Sequence, residues 1–125
     1  MTSQQARVMV RLFIFSGQPD PQWSLDEIAM AELRRRLQQT LGVERASPPP
    51  QGGLGYRGFL VESLVPALGL PRAFTVFRGV LSEPPGAHAN HWQDRGGVEA
   101  LLLAEARARG HGKALDALGG LEASR

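Results

Sequence analysis

The stretch Trp23-Ser24-Leu25-Asp26-Glu27-Ile28 fixes the start of a helix, and the rest of the chain can be read outward from it. The Ser24 hydroxyl is placed to cap the first free amides, and Glu27 to reach back to the cap's own amide in a capping box. Trp23 and Ile28 stand where a hydrophobic staple closes. Leu25, Ile28, Ala29, Leu33, Leu37 and Leu41 then recur at helical spacing, and Gly42 offers an end. The predicted helix runs to about Leu41.

Upstream, Val8, Val10, Leu12 and Ile14 alternate with Arg7, Met9, Arg11, Phe13 and Phe15, the period of a strand with one purely apolar face. Two X-Pro steps, Gln18-Pro19 and Asp20-Pro21, carry the chain from that strand to the helix. Downstream, Ser47-Pro48-Pro49-Pro50 and Gly52-Gly53 make 43–53 a surface loop. Runs from Leu54 to about Ser63 and from Arg72 to Glu83 read as two further strands, with Gly58 and Gly79 marking bulges or close backbone approach. The segment 84–94 lacks periodicity and reads as a second surface loop. Asp94 is placed to cap a second helix from about Arg95 to Arg109, and 119–125 reads as a frayed tail. The order β-α-β-β-α predicts an α+β two-layer sandwich: a small antiparallel sheet of three or four strands with two helices on one face.

A chain of 125 residues fits one domain with a core of its own, and the absence of cysteine removes disulfides and thiolate metal sites. The N-terminus lacks a cationic region followed by a long apolar run, and the run Val8 to Phe15 carries Arg11 and is too short to cross a bilayer. Together these features predict a cytoplasmic protein with no membrane partner. The net charge of +2 is mild, and Lys113 is the only lysine among 14 cationic residues. This basic balance does not by itself designate a nucleic-acid partner.

No catalytic signature stands out: no phosphate-cradling glycine loop opens a helix, and no serine has a nucleophile-elbow context. Three sets of residues carry the functional expectations. The first is Arg11, Phe13 and Phe15 on the second face of the first strand, with Tyr56-Arg57-Gly58-Phe59 and Phe77-Arg78-Gly79, where arginines and aromatics recur together. Such interleaving suits stacked bases and phosphates, hence RNA. Leu12-Phe13-Ile14-Phe15-Ser16 resembles the first-strand motif of RNA-recognition domains, and Arg57-Gly58-Phe59 resembles the opening of their other motif. The residues after Phe59 lack that motif's later aromatics, and a proline-rich loop stands where that fold has a strand. The competing reading puts the phenylalanines in the core or in a dimer interface.

The second set is His88, His91 and Asp94, spaced to offer two imidazoles and a carboxylate to a metal ion, which is the one cofactor expectation. The third is Asp20 and Trp23, whose loop could share a pocket with the His88 to Asp94 segment. Glu105 falls within the apolar arc of the second helix and needs either a partner, with Arg78 the candidate, or a route to solvent. The reading that demands no missing chemistry is a small non-enzymatic binding or scaffolding module, acting through the open face or edge of its sheet on a protein partner or a second copy. RNA binding and a metal-dependent enzyme are the alternatives.

Overall fold

A computed structural model describes residues 8–15, 19–49, 55–63, 70–86, 88–113 and 115. Its elements in chain order are β1 (Val8–Phe15), β2 (Gln22–Ser24), α1 (Glu27–Gln38), β3 (Gly55–Ser63), β4 (Ala73–Phe77), β5 (Val80–Glu83), β6 (Asn90–Gln93) and α2 (Val98–Ala108). The strands form one antiparallel sheet in the order β2-β1-β3-β4-β5-β6.

Six strands therefore replace the expected three or four, and the three additional ones have separate origins. Gln22–Ser24 pairs with β1 before the helix begins, with Trp23 opposite Val10. The run from Arg72 to Glu83 folds back on itself at Arg78-Gly79, whose φ angles of 51° and 79° both lie in the left-handed region, as a two-residue hairpin with this twist requires. Asn90–Gln93, inside the segment expected to be a loop, pairs with β5 and places Trp92 opposite Leu81. The outer edge of β6 is covered by residues 44–46: Arg45 bridges Trp92, the Ala46 amide donates to the His91 carbonyl, and the Gln93 amide donates to the Glu44 carbonyl.

Because Ser24 is committed to β2, the cap of α1 moves two residues on. Asp26 accepts from the Ala29 amide at 2.7 Å, and Ile28, expected to staple, is 83% exposed. The helix ends at Gln38, short of the expected Leu41. At α2 the first residue is preceded by Gly97 in the left-handed conformation, yet the carboxylate of Asp94 accepts from the Val98 and Glu99 amides at 2.7 and 2.8 Å. Thr40, fully buried at the end of α1, accepts from the Gly96 amide at 2.9 Å. Arg36 donates to the Gly97 carbonyl at 2.7 Å. The end of α1 and the start of α2 are thereby locked together, at a crossing where a Cβ on Gly96 would strike the Arg36 carbonyl.

Both helices lie on one side of the sheet. Leu25, Ala29, Leu33 and Leu37 from the α1 region and Val98, Leu102 and Ala106 from α2 share a core with Val8, Val10, Leu12 and Ile14 of β1. Phe59 and Val61 of β3, Phe74 and Val76 of β4, Leu81 of β5 and Leu115 complete it. Between Leu12 and Ile14 the pairing with β3 slips, so Arg57 and Gly58 together oppose Phe13. Gly58 adopts a φ of +93°, and a Cβ there would strike the Val76 carbonyl oxygen. Glu105, which the sequence pattern offers to Arg78, instead pairs with Arg109 at 3.4 Å one turn along α2. The part of the loop from 50 to 53 and the tail from 119 to 125 lie outside the described residues.

Candidate functional site

Alternation along the strands sends every second side chain away from the helices, and the register assembles these positions into rows across the sheet. One row runs Gln22, Arg11, Leu60, Thr75, Ser82, His91, and beside it lies Ser24, Met9, Glu62, Ala73. Beyond the long row, Phe77, Val80 and Gln93 continue the face, with Phe13 one step further along β1 from Arg11. Among the described residues, no element lies over this side: both helices contribute their buried side chains to the opposite core. Arg11 and Glu62 are exposed, whereas Met9, Phe13, Leu60, Thr75, Val80, His91 and Gln93 are half-buried against their neighbours and Ser82 is buried.

Chemically, the face is mixed. Met9, Phe13, Leu60 and Val80 supply apolar surface, Arg11 and Glu62 supply opposite charges, and the remainder is neutral and polar. One polar contact on it joins β5 to β6, with Ser82 Oγ 2.8 Å from His91 Nδ1. The hydroxyl of Ser24 contacts the Met9 sulfur at 3.2 Å. The Ser82 and His91 pair ties two adjacent strands together, in the manner of a cross-strand side-chain pair.

Several expected site residues are occupied elsewhere. Tyr56 and Phe59 turn toward the helices: Phe59 is fully buried, and the Tyr56 hydroxyl donates to a Glu99 carboxylate oxygen of α2. Phe77 is only 9% exposed, with its ring 5.6 Å from that of Tyr56 and 5.3 Å from the Arg78 guanidinium. Of the aromatics expected to interleave with arginines for RNA, Tyr56 and Phe59 are thus on the helix side, Phe77 is buried opposite Val80, and Phe13 is half-buried on the free face. The Phe15 side chain lies outside the described residues. Arg57 is half-buried in the bulge and makes an interaction of its own. Arg78 sits in the β4-β5 turn, where its amide and that of Gly79 donate to Glu99 at 3.1 and 2.8 Å.

Asp20 accepts from the Ile14 amide at 3.2 Å and so closes the loop between β1 and β2. Trp23 faces the core, edge-on to Phe59 at 6.5 Å and stacked on His111 at 5.6 Å, with its indole nitrogen buried and unpaired. Both belong to the β2 edge of the sheet, whereas His91 is in β6 at the other edge, so the shared pocket expected of these two segments does not form. His88 is exposed in the loop before β6, His91 faces Ser82, and Asp94 caps α2. Among the described residues, no three His, Cys, Asp or Glu side chains are grouped to hold a metal ion.

Leu60, Glu62, Thr75, Val80, Ser82 and Gln93 belong to the open face without having been marked in the sequence. Each stands at an alternate strand position, but only the register brings them beside Arg11 and Phe13. Comparison of the chain with protein-family models, curated proteins and solved structures yields no match. No helix among the described residues is long and apolar enough to cross a membrane.

Proposed function

We propose that the chain is a small interaction module that associates with a second copy of itself through the sheet face opposite the helices. The observation that carries this reading is the one-sided packing: every described helix shares the core face, while the other face presents Met9, Phe13, Leu60 and Val80 with nothing described over them. Five inter-strand spacings of about 4.8 Å make the sheet roughly 24 Å wide, and a strand as long as β1 spans about 27 Å. With β2, β4, β5 and β6 only three to five residues long, the flat area is at most about 650 Å², the lower end of what a stable dimer buries per partner. Two such faces can pack as the sheets of a sandwich do, at about 10 Å separation, each covering the other's apolar side chains. The short β2 edge and the covered β6 edge favour the face over the edge as the meeting surface.

Analytical ultracentrifugation of the intact chain over a concentration series tests the proposal, with Phe13→Asp as the perturbed form and circular dichroism as the check on folding. A concentration-dependent dimer that Phe13→Asp converts to a folded monomer is the expected result. A wild-type chain that stays monomeric at the highest concentrations, or a Phe13→Asp dimer as tight as wild type, overturns it.

A further inference from the structure

We infer that Arg11 and Glu62 set the register of this self-association, each meeting the other residue's copy across a two-fold axis; the inference rests on the face-to-face reading above. The pairing scheme places four residues of adjacent strands at the corners of one quadrilateral, with Met9 opposite Glu62 and Arg11 opposite Leu60. The charges therefore lie on one diagonal and the apolar side chains on the other. Arg11 and Glu62 are both exposed, and neither makes an ion pair among the described residues. A two-fold axis along the Met9-to-Leu60 diagonal sets Met9 and Leu60 near their own copies. The same operation carries Arg11 over the neighbour's Glu62, and Glu62 over the neighbour's Arg11. An isologous interface repeats every contact twice, so one cation and one anion on a face are sufficient for two ion pairs.

Slipping or rotating one face relative to the other brings like charges together or leaves both solvated beside apolar surface. The pair thus acts mainly on register and partner choice, the role in which charges at interfaces are most effective. Arg57, the other arginine near this face, lies in the bulge beyond Phe13 and already has an interaction of its own.

Charge reversal tests the inference with the full chain. Arg11→Glu alone makes both crossing contacts Glu against Glu, and Glu62→Arg alone makes both Arg against Arg. Each is expected to weaken self-association by about tenfold or more at low salt, with the difference shrinking in 1 M salt. Mixing the two variants restores both opposite-charge contacts, so a heterodimer of near wild-type affinity is expected, as is recovery in the double variant. A wild-type dimer lost in Phe13→Asp but indifferent to both reversals refutes the register and leaves the face standing. Weakening by both reversals without rescue in the mixture or the double variant also refutes it. A wild-type monomer refutes the face itself and the register with it.

Discussion

Glu99 joins a helix, a strand and a hairpin turn through three hydrogen bonds, and its removal has a calculable cost. From the first turn of α2 it accepts the Tyr56 hydroxyl and the two turn amides of Arg78 and Gly79, holding the β4-β5 hairpin and β3 to one helix end. Hydrogen bonds to a charged acceptor contribute about 1.5–3 kcal/mol each when shielded. The Arg78 and Gly79 amides are exposed, so water replaces the carboxylate there and about 0.5 kcal/mol each remains, whereas the half-buried Tyr56 hydroxyl retains about 1.5 kcal/mol. Glu99→Ala should therefore destabilise the fold by about 2.5 kcal/mol. With a urea slope near 1.5 kcal/mol per M, typical of a chain this size, the unfolding midpoint falls by about 1.7 M. Tyr56→Phe should cost about 1.5 kcal/mol in wild type and nearly nothing once Glu99 is alanine, giving a coupling of similar size in a double-mutant cycle. A midpoint shift corresponding to less than 0.5 kcal/mol, or strict additivity of the two substitutions, would refute the clasp.

Two further expectations concern single positions. Gly58→Ala must place a Cβ against the Val76 carbonyl oxygen at a φ of +93°, and a loss of about 3 kcal/mol is expected in the same urea titration; a loss below 1 kcal/mol would show that the bulge can relax. On the outer surface of α1, Glu32 is held by hydrogen bonds from Arg35 and Arg36, which bring its carboxyl from 4.5 down to about 2. Its folded value lies below its unfolded one, so its stabilising contribution is present above pH 4.5 and is lost as the pH falls through about 2. Carbon-detected NMR titration should place its midpoint well below those of ordinary glutamates, and Arg35→Gln should raise it; an unmoved midpoint contradicts the assignment.

The core was legible to the extent that it is periodic. Val8, Val10, Leu12 and Ile14 alternate without error, and the inward stripe Leu25, Ala29, Leu33 and Leu37 recurs at helical spacing, so β1, α1 and their contact can be read from residue types. What escapes is pairing too short to have a period. Three residues of β2 cannot display alternation, and the capping pattern at Ser24 competes with it; Asp26 offers an equally good cap two residues later, and only pairing with β1 decides between them. The Arg78-Gly79 turn lies inside an apolar run with no asparagine or proline to announce it, and arginine is an uncommon occupant of a φ of 51°. In β6 Trp92 is the one apolar residue among polar neighbours, so the strand is specified by the β5 edge it joins rather than by its own composition. The open face was half legible for the same reason. Arg11 and Phe13 declare themselves on β1, but Leu60, Thr75 and Ser82 become their neighbours only through three successive registers.

The division of labour between the two faces bears on what the free one is for. Thr40, Asp94, Gly96, Gly97, Arg36 and Glu99 bind helix to helix and helix to hairpin, all on the covered side. The described polar side-chain contacts of the other face are between strand neighbours, Ser24 with Met9 and Ser82 with His91, and these stitch the sheet without joining it to another layer. Stability therefore has little claim on Arg11, Phe13 or Glu62, whose side chains project from a sheet already fixed from behind. Phe13, half-buried next to Arg11 and diagonal to Leu60, is nonetheless apolar surface that water solvates at a cost of about 25 cal/mol per Å². That cost persists for the isolated chain, and in the proposed dimer it is relieved when a second apolar face excludes the water, so that in such a dimer the free energy of this side belongs to association rather than to folding.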